Sequence, residues 1–305
     1  MTMDTALSYT AGAAYVGGQI VPIAQAAIPI LDLGFLHSDA TYDVVHVWNG
    51  RFFRLDDHLD RFERGMAKLR MSLPIDRDGI REILHECVRA SGLDNAYVEL
   101  ICTRGMAAPG SRDPRDCVNQ FYAFAVPFAW VATPEHQKRG LSVHVSSVQR
   151  IAPESVDPTV KNYHWLDLVQ GLYDAYDHDA ETALLSDAEG NVVEGPGFNV
   201  FAVTAGALVT PKSGVLEGIT RKTALEIGAQ LGVELDLRVE ERALPYGELT
   251  SASEVFVTST AGGIMPVTTI DGRAIGAGVP GPATQKIRTH YWAMHEDPRY
   301  SEPVD

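Results

Sequence analysis

The strongest constraint on this chain is the order in which its hydrophobic periods change. From Asp57, the apolar residues Leu59, Phe62, Met66 and Leu69 recur at helical spacing. A second helical run carries Ile80, Ile83, Leu84, Cys87 and Val88, and Gly92 supplies its stop. The period then shortens. AYVELICT (96–103) and FYAFAVPFAW (121–130) read as strands, separated by the polar loop RGMAAPGSRDPRD. Earlier, AYVGGQIV predicts two short strands around a Gly17-Gly18 turn. Beyond residue 140, LSVHVSSV, TALLSDAEGNVVEG, NVFAVTAGALVTP and EVFVTSTAGGIMPVTTIDG supply strands and turns. Helices are expected after Lys161, over 219–231 with a stop at Gly232, and in TQKIRTHYWAMHED. Strands placed this irregularly do not fit a doubly wound parallel sheet, and the pattern predicts an α+β protein.

The chain has 305 residues, 45% of them hydrophobic, which is ample for one large core or two medium ones. The charged, Pro- and Gly-containing TPEHQKRG (133–140) is the best boundary. Residues 1–134 are expected to form one domain, 135–140 a linker and 141–305 a second domain. The net charge of -15 gives no support for binding nucleic acid or an anionic membrane. Cys87, Cys102 and Cys117 are too few and too scattered for a disulfide framework or a zinc site, so a reducing, cytoplasmic setting and no metal are expected. MTMDTALSYT lacks the basic and apolar regions of a secretory leader. The apolar stretch 121–132 is too short to span a bilayer and contains Pro127.

Several short segments carry chemistry. Lysine is scarce: Lys68, Lys138, Lys161, Lys212, Lys222 and Lys286. Lys161 stands in PTVKNYHWLDL beside Val160, Tyr163 and Trp165, neighbours expected to disfavour the ammonium form by desolvation. In PKSGVLEGITRKTALEIGAQLG, Gly218 precedes a helix start. The N–H groups of Ile219 and Thr220 there either cradle an anion or receive an ordinary threonine cap. Ser259 and Thr260, in VTSTAGGIMP, leave a strand at a Gly-Gly turn and can meet the same anion. Glu194, between Val192–Val193 and a glycine-bounded kink, either faces solvent or pairs with a cation or protonated nitrogen. Arg61 flanks the apolar stripe of its helix, as a surface ion pair or a phosphate ligand, and nearby His58 reads as structural. A lysine, an anion cradle and an acidic partner for a ring nitrogen together meet the needs of pyridoxal phosphate.

These residues resemble the fold-type IV pyridoxal-phosphate aminotransferases, the superfamily of branched-chain and D-amino-acid aminotransferases. Within it the chain is most similar to the (R)-selective amine transaminases. The likeness runs through HSDATYDVVHVWNGRFFRLDDHLDR (37–61), YVELICTRG (97–105), DPTVKNYHWLDL (157–168), EGPGFNVF (194–201), GITRKT (218–223), TSTAGGIMPVTTIDG (258–272) and YWAMH (291–295). The resemblance implies a small N-terminal α+β domain, a larger C-terminal domain and pyridoxal 5'-phosphate between them. It implies that Lys161 forms the Schiff base and shuttles the proton, and that Glu194 pairs with the pyridine nitrogen. Arg61, Ile219, Thr220 and Thr260 would hold the phosphate. It also implies a homodimer or higher homo-oligomer with shared active sites.

For the substrate, the resemblance assigns His37, Tyr42, Val44, Glu99, Arg112 and Trp165 to the pocket. Glu99 stands where branched-chain enzymes carry an arginine for the substrate carboxylate. Arg112 matches a mobile arginine that pairs with a keto-acid carboxylate, or is a plain surface residue. The chain departs from the subgroup at His164, Leu166 and Pro196, which bears on pocket size. The implied activity is (R)-selective transfer of an amino group from a primary amine to pyruvate. The alternatives are a D-amino-acid or branched-chain aminotransferase, an aminodeoxychorismate-type lyase, or a non-catalytic phosphate-binding protein.

Overall fold

The computed structural model describes residues 11–304. The opening MTMDTALSYT, read above for a leader, lies outside the described residues. The chain separates into two compact units, and the partition is discontinuous where the sequence predicts one break. The first unit holds the chain through Ala129, the short segment Val160–Tyr163, and the residues from His295 onward. The second holds Trp130–Thr159 and His164–Met294. The segment 133–140 is folded: Pro134–Arg139 is a helix capped by the Thr133 hydroxyl, and its Gln137 is buried.

In the first unit, β1 (Ala13–Val16) and β2 (Gln19–Pro22) form the expected hairpin. A short helix α1 (Leu33–His37) leads into β3 (Ala40–Trp48), then β4 (Arg51–Phe53). Helices α2 (Leu55–Lys68) and α3 (Arg77–Ser91) follow, then β5 (Ala96–Thr103) and β6 (Gln120–Pro127). The helices bury Leu59, Phe62, Met66, Ile80, Leu84 and Val88 against Val45, Val98 and Leu100 of the strands. Gly92 ends α3 at φ 68, a left-handed cap that glycine adopts without Cβ strain. The strand expected over 121–130 stops at Pro127, which has no N–H for a further ladder bond. With the C-terminal strand Ser301–Pro303, these strands form a seven-stranded sheet, C-terminal strand–β4–β3–β5–β6–β1–β2. β3 lies near its centre, antiparallel to β5, with Tyr42 opposite Ile101 and Val44 opposite Glu99.

The second unit begins with α4 (Pro134–Arg139), β7 (Leu141–Gln149), α5 (Leu166–Asp177), β8 (Thr182–Ser186) and β9 (Val192–Gly195). It continues with β10 (Phe198–Thr204), β11 (Ala207–Thr210), α6 (Ile219–Leu235), β12 (Arg238–Glu241) and α7 (Tyr246–Thr250). β13 (Glu254–Ser259), β14 (Gly263–Ile270), β15 (Arg273–Ala274) and α8 (Pro282–Ala293) complete it. β10 pairs with β13, then β14, β7, β8 and β9 follow in turn, and β9 pairs back with β10. That ring of pairings closes the sheet and removes two edges that would otherwise expose unpaired backbone. Val143, Leu184, Val192, Val200, Val257 and Met265 fill its core. α6 runs through Gly232 to Leu235 and ends at Asp236, which adopts the left-handed cap at φ 52. The expected stop at Gly232 therefore falls one turn early, because a glycine inside a helix weakens it without ending it.

Phe201 and Phe256 are paired across β10 and β13, fully buried, with rings stacked 4.9 Å apart. Phe201→Ala is expected to cost about 3–5 kcal/mol by leaving a cavity. Thermal melts followed by circular dichroism should show a clear drop in Tm, and an unchanged melt would contradict this packing role.

Candidate active site

Lys161 sits on a short irregular segment that returns to the first unit. Its carbonyl oxygen accepts from the Tyr42 N–H at 3.1 Å and the Thr41 hydroxyl at 2.9 Å. Asn162 also bridges to Thr41. β3 thus fixes the lysine by its main chain and leaves the side chain to reach elsewhere. The Nζ lies 4.5 Å from the centroid of the Tyr42 ring, and Tyr42 stacks on Tyr163 at 4.2 Å. Tyr42, from β3, thus joins the sequence neighbours of Lys161. Val160 is buried beside it in sequence, but Trp165 belongs to the second unit. The aromatic face of Tyr42 and the carboxylate of Glu99 also act on the lysine.

Glu99 is buried on β5 directly opposite Val44, so Tyr42, Val44 and Glu99 share one face of the sheet. The Tyr163 hydroxyl donates to Glu99 Oε1 at 2.5 Å, and the Tyr97 hydroxyl donates to Oε2 at 3.0 Å. Burial raises the Glu99 pKa above the ordinary glutamate value, against the two tyrosine hydrogen bonds and Lys161. Burial and the neighbouring carboxylate likewise push both phenols well up, so each remains a proton donor.

On the other face of β3, Asp43 is fully buried. Arg61 grips it with Nε to Oδ2 and Nη2 to Oδ1, both at 2.7 Å. His58 Nδ1 and the Val44 N–H also meet Oδ1 at 2.7 Å. Burial works to raise the Asp43 pKa, but Arg61 and His58 outweigh it and hold the carboxyl well below the usual range. Arg61 is therefore no surface ion pair: one edge of its guanidinium is committed to Asp43. His58 is structural, as its position implied.

In the second unit Glu194 lies on β9, buried. Arg150 Nε donates to its Oε1 at 3.0 Å and the Leu216 N–H to its Oε2 at 2.9 Å. Arg150 also donates to Asp167 at 2.6 Å. Asn199, opposite Glu194 in the β9–β10 pairing, donates to the Leu216 carbonyl at 2.9 Å. It therefore ties the acid's strand to the segment before α6. No side chain caps α6: Thr220 is inside the helix rather than at its cap, which removes the threonine-cap alternative. The first-turn N–H groups of Ile219 and Thr220 stand at the positive end of the helix dipole. A Cβ on Gly218 would come within 2.2 Å of Asn199 Oδ1, so only glycine fits where α6 begins. Thr258, opposite Asn199 on β13, has a buried hydroxyl with no partner, and Thr260 is half-buried at the turn after β13.

Of the remaining expected residues, His37 is exposed at the end of α1 and Arg112 is exposed in the loop before β6. His164 and Trp165 precede α5, whose first residue, Leu166, is 79% exposed. Pro196 lies in the turn between β9 and β10. Asp43, Tyr97, Arg150 and Asn199 were not singled out in sequence. Arg150, directly after the strand LSVHVSSV, carried the one visible hint: a cation at a strand end.

The family model described as "Amino-transferase class IV" matches residues 40–270. This chain belongs to the class IV aminotransferases. It is 33% identical to the branched-chain-amino-acid aminotransferase of Pseudomonas aeruginosa over 79% of this chain and 78% of that one. It is 30% identical to the D-alanine aminotransferase of Bacillus licheniformis over 89% and 93%. Its fold is similar to that of the branched-chain amino acid aminotransferase from Thermobaculum terrenum in its PLP form. The TM-score is 0.83 at 26% identity, covering 97% of this chain and 99% of that one. The protein is a pyridoxal-phosphate-dependent transaminase of α+β architecture.

The residues of the second unit fit that cofactor. An uncapped helix start with a glycine approach suits a phosphate, a buried glutamate suits a ring nitrogen, and the buried Thr258 hydroxyl has hydrogen-bonding capacity to spare.

The Asp43 cluster has a definite pH signature. Because its folded pKa is depressed, its stabilisation is complete above the ordinary aspartate range and drains away as pH falls below about 4. Asp43→Asn leaves Arg61 buried without its carboxylate. It should cost roughly 3–5 kcal/mol near neutral pH and flatten the fall of Tm with acid. Melts from neutral to acidic pH compare the two slopes, and parallel curves would refute the assignment.

Proposed function

We propose that this class IV aminotransferase is an (R)-selective amine:pyruvate transaminase. The observation that carries the reading is Glu99. Its two oxygens are engaged by Tyr163 and Tyr97 on the face of the sheet that also bears Tyr42. Charged or protonated, Glu99 offers a substrate carboxylate no cation, and when charged it repels one. An uncharged substituent on the donor carbon suits that surface better. Arg112, exposed in its loop, is the group that meets the carboxylate of pyruvate and gives way when a neutral amine binds.

Pyridoxal phosphate, when bound, supplies a carbonyl that condenses with amines and a ring that accepts the electrons left when the donor carbon loses its proton. Lys161 would carry the cofactor and move the proton taken from the donor carbon. Glu194, oriented by Arg150 and the Leu216 N–H, would meet the ring nitrogen and favour its protonated form. Arg61, Ile219, Thr220 and Thr260 hold the phosphate. Tyr42, Val44, His37 and Trp165 shape the pocket for the donor's substituents. The reaction runs in two halves: ketone leaves before pyruvate enters, and alanine is the second product. The protein works as a homodimer or higher homo-oligomer in the cytoplasm. Among the described residues, no helix is long and apolar enough to cross a membrane.

A second reading, a D-amino-acid or branched-chain aminotransferase, draws support from the names of the similar proteins. Steady-state rates with (R)-1-phenylethylamine, D-alanine and L-leucine separate the readings. Preference for the (R)-amine is expected, and preference for L-leucine with no turnover of the (R)-amine would sink it. Pyruvate formed without any amino acceptor would instead indicate lyase chemistry. Lys161→Ala should abolish transamination and the absorption of the lysine Schiff base together, with or without loss of bound cofactor. Undiminished turnover in that variant would contradict the role of the lysine.

A further inference from the structure

A polar cluster in the second unit takes no part in the chemistry above. His144 on β7, Asp174 on α5 and His178 at the end of α5 each present a ligand atom, all within 4.8 Å of one another. Among the described residues this is the group with such an arrangement. We propose that His144, Asp174 and His178 form a binding site for a divalent transition metal of the zinc class.

The hydrogen bonds around the cluster already arrange it as a ligand set. Asp271, in the turn between β14 and β15, accepts from His144 Nδ1 at 2.6 Å, from the Val145 N–H at 2.9 Å and from the Tyr246 hydroxyl at 2.9 Å. An ionised carboxylate only accepts, so the proton sits on His144 Nδ1 and Nε2 presents its lone pair. A carboxylate behind a histidine in this way is the usual support for a metal-bound imidazole. Asp174 Oδ2 accepts from the hydroxyls of Ser146 and Ser147 and from the Ser147 N–H. That leaves Oδ1 directed toward His178, at 3.3 Å from its Nδ1.

His178 lies four residues after Asp174, so both project from one face at the negative end of the helix dipole. Its Nδ1 donates to the Asp174 carbonyl at 2.8 Å, which leaves Nε2 as a second basic nitrogen. The two imidazoles now lie nearly parallel, 4.1 Å apart, so an ion in the plane of both requires one ring to turn. His178 is 57% exposed and can turn, while His144 is held by Asp271. Two imidazoles and one carboxylate favour zinc, cobalt or nickel over magnesium or calcium, which prefer oxygen. A bound ion would fasten the last turn of α5 to β7.

The test uses the pyridoxal-phosphate-loaded enzyme, stripped with a chelator and titrated with Zn2+ by calorimetry against a competing chelator. Saturable binding of one ion per chain is expected, undisturbed by excess Mg2+. His178→Gln, at an exposed position, should weaken it by at least about tenfold, and Asp271→Asn by about tenfold through the supporting shell. Zn2+ should also raise the Tm of the unaltered protein more than that of His178→Gln. No saturable binding, or equal affinity in His178→Gln with its chromophore intact, would overturn the site.

Discussion

One carbonyl oxygen fastens the lysine segment to the sheet of the first unit. Lys161 O accepts from the Tyr42 N–H and the Thr41 hydroxyl, and so brings a segment 120 residues downstream of Thr41 onto β3. Because the main chain makes this attachment, the lysine side chain is not used to hold it. The ladder of β3 with β5 then sets what accompanies the lysine, since Tyr42 and Val44 alternate onto the face that carries Glu99. A one-residue slip in that register would turn Asp43 toward Tyr163 and Tyr42 toward the helices.

Three buried carboxylates illustrate how surroundings set a role. Asp43 meets a bidentate arginine and a histidine and is held firmly ionised. Glu99 meets two phenols and the field of Lys161, and burial raises its pKa. Glu194 meets Arg150 and a backbone N–H, which fixes its orientation at the wall of the closed sheet. The first is structural cement, while in the proposed function the second would shape selectivity and the third would meet a ring nitrogen. An unpaired charge at any of these depths would be costly.

The parts of the candidate site that were legible in the sequence are those whose chemistry is local. The helix start after Gly218 is marked by glycine followed by Ile219 and Thr220, and no side chain caps it. Lys161 stands out through scarcity and its sequence neighbours, whereas Tyr42 and Glu99, which also act on it, come from distant strands. Asn199 was illegible for the same reason, and Arg150 showed only as a cation at a strand end. Asn199 matters because β10 folds back on β9 and so brings it beside Leu216, and Arg150 matters because it bridges Glu194 and Asp167.

The sequence by itself determined the α+β class, most helices and strands, the scarcity that marks Lys161 and the glycine that opens α6. Those are set by periodicity and by residues whose backbone or side-chain chemistry acts over a turn or less. Only the tertiary structure decided the discontinuous units, the bidentate hold of Arg61 on Asp43, the phenol pair on Glu99 and the hub at Asn199. Each depends on strand register and on sheet closure, which bring together groups far apart along the chain and satisfy buried polar atoms that no local pattern can pair.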